Sequence, residues 1–121
     1  MVVVPLAFAV PLVLTPVSRL LVVEDEPVNR AILGAILETG YDVIYAEDGA
    51  EALKLVRENR DVLSLVLLDL IMPNMSGMEV LRRIRSEGDY QDIPVIVASG
   101  DRTREIDCLD AGASDFIQKP Y

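Results

Sequence analysis

Five residues of this 121-residue chain could share one piece of chemistry: the acids Glu24, Asp25 and Asp69, the hydroxyl of Ser99 and the amine of Lys119. Each stands where an apolar run ends. Leu20-Leu21-Val22-Val23 leads into Glu24-Asp25, Val66-Leu67-Leu68 into Asp69, Val95-Ile96-Val97-Ala98 into Ser99, and Phe116-Ile117-Gln118 into Lys119. Asp69 closes the most apolar run and is followed by the turn Met72-Pro73-Asn74-Met75-Ser76-Gly77. Burying an unpaired charge is costly, so an acid at such a place needs a partner or a use. Three acids brought together repel, and their pKa values rise unless a cation neutralises them. The chain has no histidine and a single cysteine, which leaves oxygen ligands and points to a hard divalent ion. Mg²⁺ binds through one or two carboxylates and keeps several waters. A carboxylate beside a metal, a hydroxyl and a lysine suits phosphoryl handling. The carboxylate can act as a nucleophile, while Mg²⁺ and Lys119 neutralise the phosphoryl oxygens and Ser99 donates a hydrogen bond. Taken singly, each residue has an ordinary explanation: strand-end acids cap helices, serines make turns, and most lysines are surface. Their conjunction at successive strand ends carries the argument.

The elements that must position these groups alternate in type. Leu20–Val23 is a continuous apolar run, as expected of a parallel strand buried on both faces. Pro27 suits a first helical position, and Val28, Ile32, Leu33, Ile36 and Leu37 mark one helical face up to Gly40. Asp42–Ala46 is a second strand. Asp48 caps the next helix, with Ala52, Leu53 and Val56 facing inward. Leu63–Leu68 is the third strand. Gly77 opens a helix with Met78, Leu81 and Ile84 on one face and Arg82, Arg83 and Arg85 mostly outside. Pro94–Ala98 is the fourth strand, Thr103–Ala111 a shorter and more polar helix closed by Gly112, and Ser114–Gln118 the last strand. Near-continuous apolar strands alternating with helices give a parallel sheet with helices on both faces. In such a sheet ligands bind outside the carboxyl ends of the strands, so the five residues gather at one edge.

Length allows one domain with a real core. A net charge of −9 argues against a nucleic-acid surface, which needs clustered Lys and Arg. Cys108 stands alone, so an internal disulfide is excluded and a reducing, cytoplasmic compartment is expected. Residues 1–18 form a distinct apolar arm without charge, with prolines at 5, 11 and 16. Bulky residues alternate at Val4, Leu6, Phe8, Val10, Leu12 and Leu14, a strand-like period. A signal peptide lacks its basic region here, and a membrane span fails on the prolines and on length.

At this point the chain resembles a known family, the CheY-like receiver domain of two-component response regulators, over residues 19–121. The resemblance rests on Leu21-Val22-Val23-Glu24-Asp25-Glu26, Ala46-Glu47-Asp48-Gly49, Leu68-Asp69-Leu70-Ile71-Met72-Pro73, and Ala111-Gly112-Ala113-Ser114-Asp115-Phe116 through Lys119-Pro120. It implies a flavodoxin-like, doubly wound, five-stranded sheet in the order 2-1-3-4-5. It implies that Asp69 is the phosphoacceptor, charged by a histidine kinase or phosphotransfer protein in a phosphorelay, and that the domain is not an enzyme beyond its own phosphorylation and dephosphorylation. Glu24, Asp25, Asp69 and the backbone carbonyl of Ile71 would hold Mg²⁺. Ser99 and Phe116 would be the switch pair, Lys119 would meet the phosphoryl group, and Lys119–Pro120 would be cis. Added charge at Asp69 would draw Ser99 in, let Phe116 rotate and shift the surface of the fourth helix and fifth strand.

Two departures from the family pattern stand out. Glu24 replaces the more usual Asp, and the sequence stops at Tyr121 where the family continues into a fifth helix. A missing helix would bare apolar sheet surface, and the arm, residues 4–14, is expected to cover it within one chain or swapped in a homodimer. Two other functions compete: an aspartyl-nucleophile phosphatase, which wants a second acid where Ile71 stands, and an unphosphorylated pseudo-receiver. Glu24-Asp25 with Asn29 behind an apolar tail also resembles receivers fused to hybrid histidine kinases.

Overall fold

The computed structural model describes residues 18–121. The elements are β1 (Arg19–Val23), α1 (Pro27–Leu37), β2 (Asp42–Ala46), α2 (Gly49–Asn59), β3 (Leu63–Asp69), α3 (Gly77–Ser86), β4 (Val95–Ser99), α4 (Glu105–Asp110) and β5 (Asp115–Gln118), with short 3₁₀ turns at Gly88–Tyr90 and Arg102–Arg104. All strand pairs are parallel, in the order β2-β1-β3-β4-β5. This is the flavodoxin-like order expected above. Local chemistry starts the helices: Pro27 opens α1, the Asp48 carboxylate accepts from the Glu51 N–H at 2.8 Å, and the Ser76 hydroxyl accepts from the Glu79 N–H at 3.2 Å. Gly112, at φ 109°, takes the left-handed conformation just past α4.

Successive strand residues face opposite sides, which divides the core in two. Leu21, Val23, Val66, Leu68, Val95 and Val97 pack beneath α2, α3 and α4, against Val56, Leu81, Ile84 and Cys108. Val22, Leu67 and Ala98 face the other way and meet Leu33 of α1. The register aligns Val23 with Leu68, Asp69 with Ala98 and Ser99 with Gln118, so the residues that follow β1 and β5 reach the same edge as Asp69 and Ser99.

Three local expectations change. The apolar face of α1 is only partly used: Leu33 is buried, whereas Val28, Ile32 and Ile36 are exposed. Among the described residues no second helix packs beside α1 on that side, so periodicity supplies a face without supplying its partner. Arg85 is not outside. Its guanidinium donates from Nε to the Gly112 carbonyl at 2.8 Å and from Nη1 to the Ile93 and Tyr90 carbonyls at 2.7 and 3.2 Å, and burial lowers its pKa. Loop carbonyls without ladder partners need donors, and a long side chain on α3 reaches them. Thr103 belongs to a 3₁₀ turn capped by Asp101, so α4 starts only at Glu105. The arm and its expected docking lie outside the described residues.

Candidate functional site

The site is assembled from the ends of β1, β3, β4 and β5. Glu24 follows β1 and is 1% exposed, held through its main chain by the Ala46 carbonyl at 3.0 Å and by Arg30, whose Nη1 donates to the Glu24 carbonyl at 2.8 Å. Arg30 also pairs with Glu47 at 3.1 Å, which ties the β1–α1 and β2–α2 loops together. Asp69 is the last residue of β3, 3% exposed, and its Oδ1 accepts from the Ile71 N–H at 3.3 Å. Ser99 ends β4; it is buried, and its Oγ accepts from the Asp101 N–H at 3.0 Å. The Lys119 N–H continues the sheet ladder onto the Ser99 carbonyl at 2.9 Å, and the Lys119–Pro120 peptide is cis.

Lys119 then bridges the acids: its Nζ lies 2.8 Å from Glu24 Oε1 and 3.0 Å from Asp69 Oδ1. Asp25, half-buried, completes a group in which carboxylate oxygens of Glu24, Asp25 and Asp69 lie within 4.8 Å of one another. Asp25, Asp69, Ile71, Ser99 and Lys119 line a cleft of about 290 Å³ with Glu26 and Gly100. Ile71 is 68% exposed at the mouth of this cleft. Phe116 is half-buried against the larger core cluster.

One ammonium serves two buried carboxylates, and they share it unequally. Burial would raise Glu24, but hydrogen bonds from Lys119 and the Glu26 N–H outweigh it and hold the group below its ordinary value. Asp69 goes the other way. Burial, reinforced by the Glu24 charge, exceeds the effect of Lys119 and pushes it up to about 6. Burial alone would depress Lys119, yet its two carboxylate partners raise it, so it stays cationic. With Asp25 included, three carboxylates against one ammonium leave two negative charges uncompensated, and every available ligand atom is oxygen. That donor set fits a hard divalent cation.

Sequence reasoning passed over three contributors. A Cβ on Gly77 would collide with the Asp69 carbonyl and come within 2.7 Å of the Leu70 Cα, while the Gly77 N–H donates to the Leu70 carbonyl at 2.8 Å. The glycine therefore lets the loop fold back against Asp69, and the proline-and-glycine turn was its signal. Arg30 carries no local signal, because its partner is a main-chain carbonyl. Tyr121 places its hydroxyl 3.4 Å from Glu24 Oε1 and its ring 5.7 Å from Lys119 Nζ, across 97 residues of sequence.

A parallel 2-1-3-4-5 sheet with an acidic cleft at its carboxyl edge defines a CheY-like α/β domain of the flavodoxin-like class. Within that class the chain belongs to the response regulator receiver domain family of two-component systems, whose family model matches residues 20–121. The response regulator MprA of Mycobacterium sp. (strain KMS) is 40% identical over 106 residues, 88% of this chain and 45% of that protein. The chain thus spans about half the length of the curated relatives it matches. The receiver domain of the sensor histidine kinase PA1611 from Pseudomonas aeruginosa PAO1 superposes with a TM-score of 0.77 at 30% identity, over 86% of each chain. That structure has a magnesium ion coordinated in its active-site cleft. A response regulator receiver domain protein from Clostridium thermocellum gives a TM-score of 0.78 at 30% identity, over 86% of this chain and 83% of the other.

Proposed function

We propose that this domain is the phosphoacceptor of a two-component phosphorelay in the cytoplasm. An Asp69 carboxylate oxygen attacks the phosphorus of a phosphohistidine on a histidine kinase or phosphotransfer protein. The P–N bond breaks and the imidazole leaves with its electron pair. The observation that carries this reading is Lys119 Nζ standing 3.0 Å from Asp69 Oδ1 inside the oxygen-lined cleft. Glu24, Asp25, Asp69 and the Ile71 carbonyl would hold Mg²⁺, which supplies charge neutralisation for the phosphoryl oxygens. Lys119 offers its ammonium to one phosphoryl oxygen, and the Ser99 hydroxyl donates to another after leaving the Asp101 N–H. Withdrawal of Ser99 opens room for Phe116 and biases the α4–β5 surface toward a second arrangement. The chain does no turnover on a separate substrate. An aspartyl-nucleophile phosphatase would need an acid at the position of Ile71.

Incubation with acetyl phosphate and Mg²⁺, followed by intact mass, tests the assignment. One phosphate adduct is expected on the native chain and none on Asp69→Asn. An unmodified native chain of verified fold, or an adduct that persists in Asp69→Asn, overturns it.

A further inference from the structure

Arg30 stands one turn into α1, near the helix N-terminus, where a cation opposes the helix dipole. Its own helix gains nothing from the charge, so its use lies elsewhere. Helical side chains lean back toward the N-terminal end, and this one reaches the carboxyl edge of β1. The β1–β2 ladder closes with the pair Val23 and Ala46 and with the bond from the Glu24 N–H to the Ala46 carbonyl at 3.0 Å. Beyond that point the Glu24 carbonyl has no strand partner, and a carbonyl left unpaired away from water is costly. Arg30 Nη1 donates to it at 2.8 Å, while Nη2 pairs with Glu47 Oε1 at 3.1 Å. The Arg30 side chain is only 19% exposed. Glu47 is tied in turn, its N–H donating at 3.0 Å to Glu51 Oε1 in the first turn of α2. One guanidinium fork thus joins the loops that follow β1 and β2.

We propose that Arg30 is a positioning residue for the divalent cation: it fixes the Glu24–Asp25 peptide and so sets where the Asp25 carboxylate meets the ion. This role rests on the Mg²⁺ reading of the cleft. Two of the three clustered acids are held through their side chains, Glu24 by Lys119 and the Glu26 N–H, Asp69 by Lys119 and the Ile71 N–H. Among the described residues no hydrogen bond or ion pair holds the Asp25 carboxylate, so the main chain in front of it sets its direction. Arg30 pins that main chain at the Glu24 carbonyl. Without Arg30 the peptide is free to rotate, and Asp25 swings with it. Mg²⁺ demands near-ideal octahedral geometry, so a small rotation of one ligand costs affinity. A lysine would replace the arginine only in part, because an ammonium is a point charge without the planar fork that meets a carbonyl and a carboxylate together. Arg30 is also a cation close to three acids. Were charge its whole effect, removing it would tighten Mg²⁺ binding. Loss of position loosens it, so the two effects have opposite signs.

Calorimetric titration of the full chain with Mg²⁺ alone reads that sign, and melting in chelator follows the fold alongside. Arg30→Met should weaken Mg²⁺ binding about tenfold, as for residues that orient a metal ligand. Arg30→Lys should recover part of the loss. Glu47→Gln leaves the bond to the Glu24 carbonyl in place and should cost less than Arg30→Met, since the Glu47 side chain is 69% exposed. In the acetyl phosphate reaction, the Mg²⁺ concentration that gives the half-maximal adduct rate should rise by the same factor as the calorimetric loss, a shift that a merely structural residue would not produce. Should Arg30→Met melt near the assay temperature, Arg30→Lys carries the test, with a severalfold loss expected. Unchanged or tighter Mg²⁺ binding in the folded variants overturns the role of Arg30 and leaves the Mg²⁺ reading of the cleft standing. A native chain of verified fold that binds no Mg²⁺ overturns both.

Discussion

On one face of the sheet, α2, α3 and α4 cover side chains such as Val56, Leu81, Ile84 and Cys108 completely. On the other, α1 packs alone among the described residues and buries only Leu33 and Gly34 of its own residues. The site straddles the two. Asp69 is backed by the crowded side, where Gly77 turns α3 against it and Leu68 is fully buried. Glu24 and Lys119 are steadied from the thinner side, through Arg30 and Tyr121. Asp69 is thus set against the tightly packed face, while the groups that set its charge hang on hydrogen bonds and a partly covered helix. Damage to the crowded face should cost fold. Changes near the thin face should alter electrostatics first.

The largest effect should come from Ile84→Ala, where a fully buried side chain leaves a cavity; urea denaturation should show a loss of about 3–4 kcal/mol. Ile32→Ala on α1 should cost about 1 kcal/mol or less, because its side chain is 41% exposed. Equal losses would end the distinction between the faces. Next is Gly77→Ala, which drives a methyl group into the Asp69 carbonyl and should destabilise by about 2–3 kcal/mol. Its Mg²⁺ affinity by calorimetry should fall with the stability, since the displaced backbone is that of Asp69 itself.

Lys119→Met leaves Glu24 and Asp69 facing each other without a cation. Removing one partner of a buried pair costs about 3–5 kcal/mol, reduced here to about 2 because the Lys119 side chain is 19% exposed and Asp69 can take up a proton. The loss should be greatest near pH 8, shrink toward pH 5, and be partly restored by millimolar Mg²⁺ in thermal melts. The smallest effect concerns Asp69 alone. Its folded pKa stands at about 6 against an ordinary 3.8, a raised acid, so its contribution to stability is present below the ordinary value and lost as pH rises through the folded one. With chelator present, Asp69→Asn should therefore gain on the native chain between pH 4 and 7, by about 1 kcal/mol after allowance for solvent screening. A gap in melting temperature that is flat across this range would show that Lys119 fully compensates Asp69.

Much of this was readable in the sequence because it depends on neighbours in the chain. Asp48 as a helix cap, Pro27 as a helix start, Gly77 opening a helix, and apolar runs ending in Glu24, Asp69, Ser99 and Lys119 all follow from spacing within a few residues. Arg85 shows where such reading stops: at helical spacing it falls on the polar face, yet its long stem reaches carbonyls of the loops before β4 and β5. Val28, Ile32 and Ile36 show the converse, since an amphipathic pattern states which face is apolar and not what lies opposite.

By itself the sequence determined the alternation of strands and helices and the carboxyl-edge location of the acids, hydroxyl and lysine, as consequences of local hydrophobic period and turn chemistry. The family was legible only as a resemblance in motifs such as Leu68-Asp69-Leu70-Ile71-Met72-Pro73. Only the tertiary structure decided how the charge is divided. Lys119 lies 95 residues from Glu24 and still donates to it at 2.8 Å, so Glu24 is held ionised while Asp69, 3.0 Å from the same ammonium, is pushed toward neutrality. Electrostatic energy depends on distance and burial in space, and neither is written in the order of residues.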